Sequence, residues 1–249
     1  LAYSAGTDKL SNFKASLETP FGETVAARLT LANFTQDGYV TRTDGIDLGN
    51  DDTKAARLAV NWEPSEAFSA QLNVDASKDR EHGPAMELIG IDLTDLSQLN
   101  GVVLAPPPPM AFIHNVTTAA LAPGQPCAVT DAAGVGVTSN PASANCYDSR
   151  YVGKDGTDEG TAPAFSENDT FGASVTLNYD INEVLSLKSI SAVRQLDAEF
   201  ARDGDHSPHR ISQFSDVLEQ DQVTQEIQLV GSHDKMQWVT GLYYFSEDG

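Results

Sequence analysis

From Phe68 to Ser77 the chain alternates without a break. Phe68, Ala70, Leu72, Val74 and Ala76 fall on one side, and Ser69, Gln71, Asn73, Asp75 and Ser77 on the other. Successive side chains of an extended strand point to opposite faces, so a period of two predicts a strand with one apolar and one polar face. The pattern recurs along the chain. Phe171, Ala173, Val175, Leu177 and Tyr179 oppose Gly172, Ser174, Thr176 and Asn178. Val25, Ala27, Leu29 and Leu31 oppose Arg28 and Thr30, and Leu58, Val60 and Trp62 oppose Arg57 and Asn61. Near the start, Phe13, Ala15 and Leu17 oppose Asn12, Lys14, Ser16 and Glu18. Val184–Val193 is less regular: Ile190 and Ala192 break the phase of Leu185 and Leu187, and a bulge or twist is expected there.

The segments come in pairs. The N-terminal segment and Thr24–Phe34 are joined by a short turn, as are Lys54–Trp62 and Phe68–Ser77, Asn168–Tyr179 and Val184–Val193, and Gln222–Val230 and Met236–Phe245. Between the pairs lie long gaps over residues 35–53, 78–167 and 203–220. Short turns at one end of a sheet and long loops at the other are the mark of an all-β, antiparallel, up-and-down transmembrane β-barrel, with short periplasmic turns and long extracellular loops. Several segments run to about ten residues, matching the roughly 9–11 of a tilted membrane strand. A soluble sheet packed on a core also alternates. Aromatic placement favours the barrel: Phe21, Trp62, Phe68, Tyr179 and Trp238 cluster at the short turns, and Phe34, Tyr39, Phe200, Tyr243, Tyr244 and Phe245 lie toward the long loops. Two such belts are expected at the two lipid–water interfaces.

Composition narrows the partners. The 249 residues include 36 acids against 15 bases, a net charge of −21, which excludes the basic footprint of a nucleic-acid binder. No apolar run approaches the roughly 20 residues of a spanning helix, but barrel strands leave a much weaker hydropathy signal. Leu1 opens neither a basic n-region nor an apolar h-region, so the sequence reads as a mature or truncated chain. The three long gaps hold 20 of the acids and only 6 of the bases. An acidic outer face is suited to attract cationic or metal-bearing ligands, or divalent ions that bridge lipopolysaccharide, although a charged loop is also simply well solvated.

Candidate chemistry is sparse. On the polar faces Lys14, Glu18, Arg28, Arg57, Asp75 and Glu226 are expected to line a lumen, as plug contacts, as a translocation path or as plain solvated groups. His206 and His209, flanked by Asp203 and Asp205, invite a metal reading, against which stands their place on a loop. Tyr39, Tyr147 and Tyr151 are candidates for a ligand vestibule. Nucleophile elbows, phosphate loops, metalloprotease helices and zinc-type cysteine pairs are all lacking from the sequence, so neither catalysis nor a cofactor is indicated. Cys127 and Cys146, the only cysteines, share the longest gap. In an oxidising compartment they are expected to form one disulfide, worth roughly 3 kcal/mol in the chain-entropy picture. Four prolines within Ala105–Pro109 predict a stiff polyproline II rod.

The stretches "LSLKSISAVRQLDAEFARDGD" and "DQVTQEIQLVGSHDKMQWVTGLYYFSEDG", together with residues 37–80, resemble the barrel of TonB-dependent outer-membrane receptors, especially the large receptor sets of sphingomonad- and caulobacter-like bacteria. Residues 81–165 carry none of the resemblance. It implies a barrel of about 22 strands closed by a plug, located in the bacterial outer membrane among lipid and lipopolysaccharide. It further implies uptake of a small-molecule or oligosaccharide ligand, such as a ferric siderophore or a saccharide, energised by the TonB–ExbB–ExbD complex. Neither plug nor TonB box can be matched to residues here. The eight strands of residues 1–249 are therefore expected to be an internal stretch of such a barrel, with a complete eight-stranded barrel as the alternative. Functions of other classes that fit the same pattern are a structural or adhesive surface β-protein and a passive porin.

Overall fold

The computed structural model describes residues 1–90, 129–130, 136–137, 144, 146–153 and 156–249. In chain order the strands are β1 (Ala2–Ala5), β2 (Ser11–Phe21), β3 (Val25–Gln36), β4 (Val40–Arg42), β5 (Asp47–Leu48), β6 (Asp51–Ser65), β7 (Phe68–Glu81), β8 (Val129–Thr130), β9 (Gly136–Val137), β10 (Thr157–Asp158), β11 (Phe165–Asn182), β12 (Leu185–Asp203), β13 (Gln213–His233) and β14 (Met236–Asp248). Nine of them form one antiparallel sheet in the order β1-β2-β3-β6-β7-β11-β12-β13-β14, each strand beside its sequence neighbour in the sheet. This is the up-and-down meander of a barrel wall. All eight segments read from the sequence pair as expected, and β1 adds a short ninth.

The decisive feature is where the core is not. The apolar face of the sheet, with Leu17, Leu29, Leu58, Phe171, Val175, Leu177, Leu187, Val223, Ile227 and Leu242, stands exposed. The fully buried hydrophobic residues, Val40, Leu48, Cys146, Tyr147, Ala162 and Ala201, gather at the long-loop end instead. A soluble sheet would bury its apolar face against a second layer; this face is left for hydrocarbon. Between strands the backbone pairs residue by residue, so polar groups of the main chain are satisfied within the sheet, as a lipid environment demands.

Register carries the two-faced pattern across the whole wall. On the outward face Leu17, Leu29, Leu58, Val74, Ala173, Val193 and Val223 lie opposite one another in a continuous row. On the other face the row runs Ser16, Thr30, Arg57, Asp75, Gly172, Arg194 and Gln222. Phe21, Trp62, Phe68, Tyr179 and Trp238 all fall on the outward face at the short turns, forming the inner girdle. Trp62 and Phe68 meet edge to face across their hairpin, ring centroids 5.7 Å apart. The Trp238 ring lies over Gly231, where a Cβ would come within 2.2 Å of it.

Four expectations need correction. The expected irregularity in Val184–Val193 does not lie at Ile190 or Ala192: β12 keeps one register with β13 throughout and with β11 from Ser186 on. The shift sits at the hairpin end, where Asp180 pairs with Ser186 and Asn182 with Leu185, as another does between Trp62 and Ser65. The broken phase has another cause. Ser189 and Ser191 occupy outward positions, where Ser191 donates to Gln225 Oε1 and Gln225 Nε2 donates to Ser189 Oγ at 3.0 Å. A polar knot that satisfies itself costs far less at a lipid surface than isolated hydroxyls. Second, the expected outer belt is drawn partly from the wrong residues. Phe34, Phe200, Tyr243 and Phe245 share the lumen parity, while Tyr3, Phe13, Phe171 and Tyr244 face outward. Third, β11, β12 and β13 run to 18, 19 and 21 residues, well beyond the hydrocarbon span. Their loop-end halves carry charges, on the outward face of β11 and on both faces of β12 and β13, so part of what reads as loop is hydrogen-bonded strand. Fourth, β10, β4 and β5 form a small separate sheet in the loop region.

The polyproline segment 105–109 and Cys127 lie outside the described residues. Spin labels placed by Leu72→Cys and Asn73→Cys are expected to report opposite accessibility to lipid-soluble oxygen, high at 72 and low at 73. Equal accessibility at the two positions would contradict a membrane wall.

Candidate functional site

At the long-loop end the chain builds a cap from segments that the sequence separates widely: residues 37–50, 82–90, 146–153, 156–163 and 204–212. Short strands position it. Val40–Arg42 pairs with Asp47–Leu48 in antiparallel fashion and with Thr157–Asp158 in parallel. Arg42, only 2 % exposed, sends Nη1 to the carbonyl of Ala162 at 2.8 Å and Nη2 to Asp44 at 2.6 Å. One side chain thus ties the first loop to the third.

Three buried aspartates do the remaining joining. Asp203 accepts the backbone N–H groups of Thr161 (3.0 Å) and Ala162 (2.9 Å) on one oxygen, and those of Asp205 (3.0 Å) and His206 (2.8 Å) on the other. Asp205 accepts from the N–H groups of Ile211 and Ser212 and from the Ser207 hydroxyl. Asp158 accepts from the Gly160 N–H at 3.2 Å and faces His206 Nδ1 at 2.8 Å. A loop cannot satisfy its own amides in a ladder, and Asp is the residue type that caps local backbone donors. His206 adopts a left-handed backbone, φ 54°, which turns its ring back toward Asp158. The hydrogen bond to Asp158 raises the pKa of His206 above the ordinary 6.5, with Asp203 and Asp205 adding attraction against the cost of burial.

Beside this lattice sits an aromatic cluster. Tyr147 and Tyr151 stack at 6.3 Å, His209 meets Tyr151 edge-on at 5.2 Å, and the Arg150 guanidinium lies 5.7 Å from the Tyr151 ring. Asp148 holds Arg150 with two oxygens at 2.8 Å each. Tyr147 is buried and donates to the Asp205 carbonyl at 2.7 Å; burial pushes its phenol up to about 12.

The sequence candidates sort accordingly. Tyr147 and Tyr151 come together, but Tyr147 serves as a post within the cap. Tyr39 instead rests against Gly49 with 60 % of its surface exposed, the one tyrosine of the three that offers an open ring. His206 and His209 do not converge on a common point. One ring engages Asp158, the other Tyr151, and among the described residues no group of three His, Cys, Asp or Glu side chains is placed to hold a metal. Sequence reasoning treated Asp203 and Asp205 as flanking residues, though the "DGDHS" run is a turn-forming signal. It gave no sign of Arg42 or Asp158. Cys146 is fully buried and is not a free thiol, while Cys127 lies outside the described residues.

Lys14, Glu18, Arg28, Arg57, Asp75 and Glu226 all share the polar face by register. Glu18 and Arg28 stand opposite each other, 3.6 Å apart, and Arg194 reaches Asp75 at 2.9 Å. On the outward face above the apolar band lies a second charged zone. Arg80 pairs with Glu167 (3.1 Å) and Asp169 (2.7 Å), Lys78 with Asp169 (3.4 Å), and Asp197 and Glu219 stand beside them in register.

No protein-family model and no curated protein matches the chain. Solved structures do. The ferric yersiniabactin uptake receptor FyuA from Yersinia pestis aligns over 98 % of this chain and 29 % of its own, at 13 % identity and a TM-score of 0.58. The siderophore receptor PiuA from Acinetobacter baumannii aligns over the same shares at 13 % identity and 0.59. The ferric-catecholate import receptor Fiu from E. coli K12, in its open form, aligns over 98 % and 33 % at 15 % identity and 0.56. The fold is that of an outer-membrane β-barrel wall. The chain spans about a third of the length of these receptors.

Asp203→Ala is expected to strip the acceptor from four backbone amides and to loosen the cap by roughly 2–4 kcal/mol, leaving the sheet intact. Hydrogen exchange should quicken at residues 157–163 and 203–212 and not in β11 or β12. The His206–Asp158 pair has a definite pH sign. A raised folded pKa makes its contribution complete below about 6.5 and lost as pH climbs through the folded value. After correction for intrinsic exchange, the cap should therefore open more often above neutrality, and His206→Gln should abolish that dependence.

Proposed function

We propose that residues 1–249 form part of the wall and extracellular cap of a TonB-dependent outer-membrane receptor. It takes up a scarce nutrient too large for passive pores, such as a ferric siderophore or a saccharide. The observation that carries this reading is the pairing of a lipid-facing sheet with a built, acid-pinned loop cap. A passive wall needs no such cap, whereas a receptor needs outer loops held ready for ligand. The likeness to three uptake receptors over nearly the whole chain supports the same conclusion.

In this reading the polar face lines the lumen. A plug outside residues 1–249 contacts it and couples to the TonB–ExbB–ExbD complex. The exposed ring of Tyr39 meets incoming ligand. The outward charged zone around Lys78, Arg80, Glu167 and Asp169 sits directly above the apolar band, where it meets lipopolysaccharide headgroups and their bridging divalent ions. Cys127 and Cys146 form one disulfide that tethers the long β7–β11 loop.

Uptake of radiolabelled ferric siderophore and of labelled oligosaccharide by cells expressing the full-length polypeptide tests the proposal. Saturable uptake of one class, lost when TonB is deleted, is expected. Uptake indifferent to TonB would point to a passive pore, and uptake of neither class to a surface protein. For the disulfide, intact-mass spectrometry without reductant should show no alkylatable thiol. Replacing both cysteines by Ser should raise protease cleavage between residues 81 and 165 without unfolding the sheet.

A further inference from the structure

The polar face of the wall is charged unevenly. Its acid Glu18 is matched by Arg28, and Asp75 by Arg194. Arg57 stands directly opposite Asp75 in the β6–β7 register, yet among the described residues no carboxylate lies within ion-pair distance of it; Nη2 instead donates to the Asn73 amide oxygen at 3.2 Å. Lys14 and Lys188, on the same face, likewise take part in no ion pair among the described residues.

The reason Arg57 is left over lies two strands away. Arg194 on β12 is paired with Gly172 on β11, and Gly172 with Asp75 on β7. With no side chain on Gly172, the Arg194 guanidinium lies flat across β11 and reaches Asp75 at 2.9 Å. A Cβ on Gly172 would stand 2.8 Å from Arg194 Nη1 and 2.9 Å from Cζ. The carboxylate next to Arg57 is thereby claimed from the far side. Around Arg57 the lumen wall is low and polar: Thr30 lies opposite it, hydrogen-bonded to Ser16 at 2.9 Å, and Ala55 and Ala59 flank it on its own strand.

From this we infer that Arg57, with Asn73 and Thr30 beside it, is a carboxylate-binding site on the lumen wall, left without a carboxylate partner among the described residues by the Arg194–Asp75 bridge over Gly172. A planar guanidinium with unused N–H donors matches a carboxylate, and a site walled by low-dielectric sheet concentrates its field. Two sources share that chemistry: a carboxylate-bearing solute in transit, and an acidic side chain of the polypeptide's own lumen-filling segment. The inference rests on the barrel reading of the fold and not on which nutrient is carried. A negative result here therefore leaves the TonB-dependence test untouched.

The experiment has two arms, both on the full-length polypeptide in detergent micelles. In the first, citrate is titrated calorimetrically. Arg57→Gln should weaken binding about tenfold or more, the worth of one charge-assisted hydrogen bond, and Lys235→Gln on a short turn should not. Asp75→Asn, which removes the competing carboxylate, should tighten it. Gly172→Ala, which removes no charge but crowds Arg194 off Asp75 and frees that carboxylate for Arg57, should weaken it. In the second arm, Arg57→Lys is treated with a water-soluble carbodiimide and the amide formed by the new amine is mapped by mass spectrometry. Citrate binding with this order of variants assigns the site to a solute. An amide to an acid other than Asp75 assigns it to the polypeptide's own segment. Absence of both, or citrate binding that Arg57→Gln and Lys235→Gln change equally, overturns the inference.

Discussion

Everything in this chain follows from one constraint, the requirement that backbone N–H and C=O groups in hydrocarbon find partners within the protein. The nine-stranded meander meets it by pairing each strand along nearly its whole length with its neighbour in sequence. Because the ladder supplies the polar satisfaction, side chains are released from forming a core. That is why the apolar side of the sheet can lie bare and why, among the described residues, buried hydrophobic side chains collect at the loop end. It also explains the tolerance for Ser189, Ser191 and Gln225 on the outward face, where they satisfy one another locally in the way the backbone does throughout.

The cap obeys the same rule by other means. Above the membrane the chain leaves the ladder, and its amides need acceptors that loops do not provide. Asp203, Asp205 and Asp158 provide them, and Arg42 takes a stray carbonyl. A surplus of acid that reads, in composition, as a charged surface is thus partly structural. Some of the most important carboxylates are buried and point at backbone, and only the remainder is free to shape a field for ligands. The extended ends of β11 to β13 lift this cap above the apolar band, and their outward charges lie between the two.

On the lumen side, glycine and arginine act together. Gly172 is conspicuous less for its backbone than for the flat passage it gives a guanidinium between strands. The result is a wall whose charges are satisfied in chosen pairs, with selected cations held back.

The sequence by itself determined the strands, their pairing and the two faces. Those properties are local: a period of two and a short turn fix which side each residue takes and which neighbour it meets. Lys14, Glu18, Arg28, Arg57, Asp75 and Glu226 could be placed on the lumen face on parity alone. Position along the strand misled where parity would not have, as with Phe34, Phe200, Tyr243 and Phe245, whose nearness to the loop ends says nothing about the side they face. Only the tertiary structure decided what surrounds the loops. The burial of Arg42 and Asp158, the capture of His206 by Asp158 and the reach of Arg194 to Asp75 each join residues tens of positions apart in sequence. Such contacts depend on how ladders bring distant loops and strands together, and no periodicity in the chain records that.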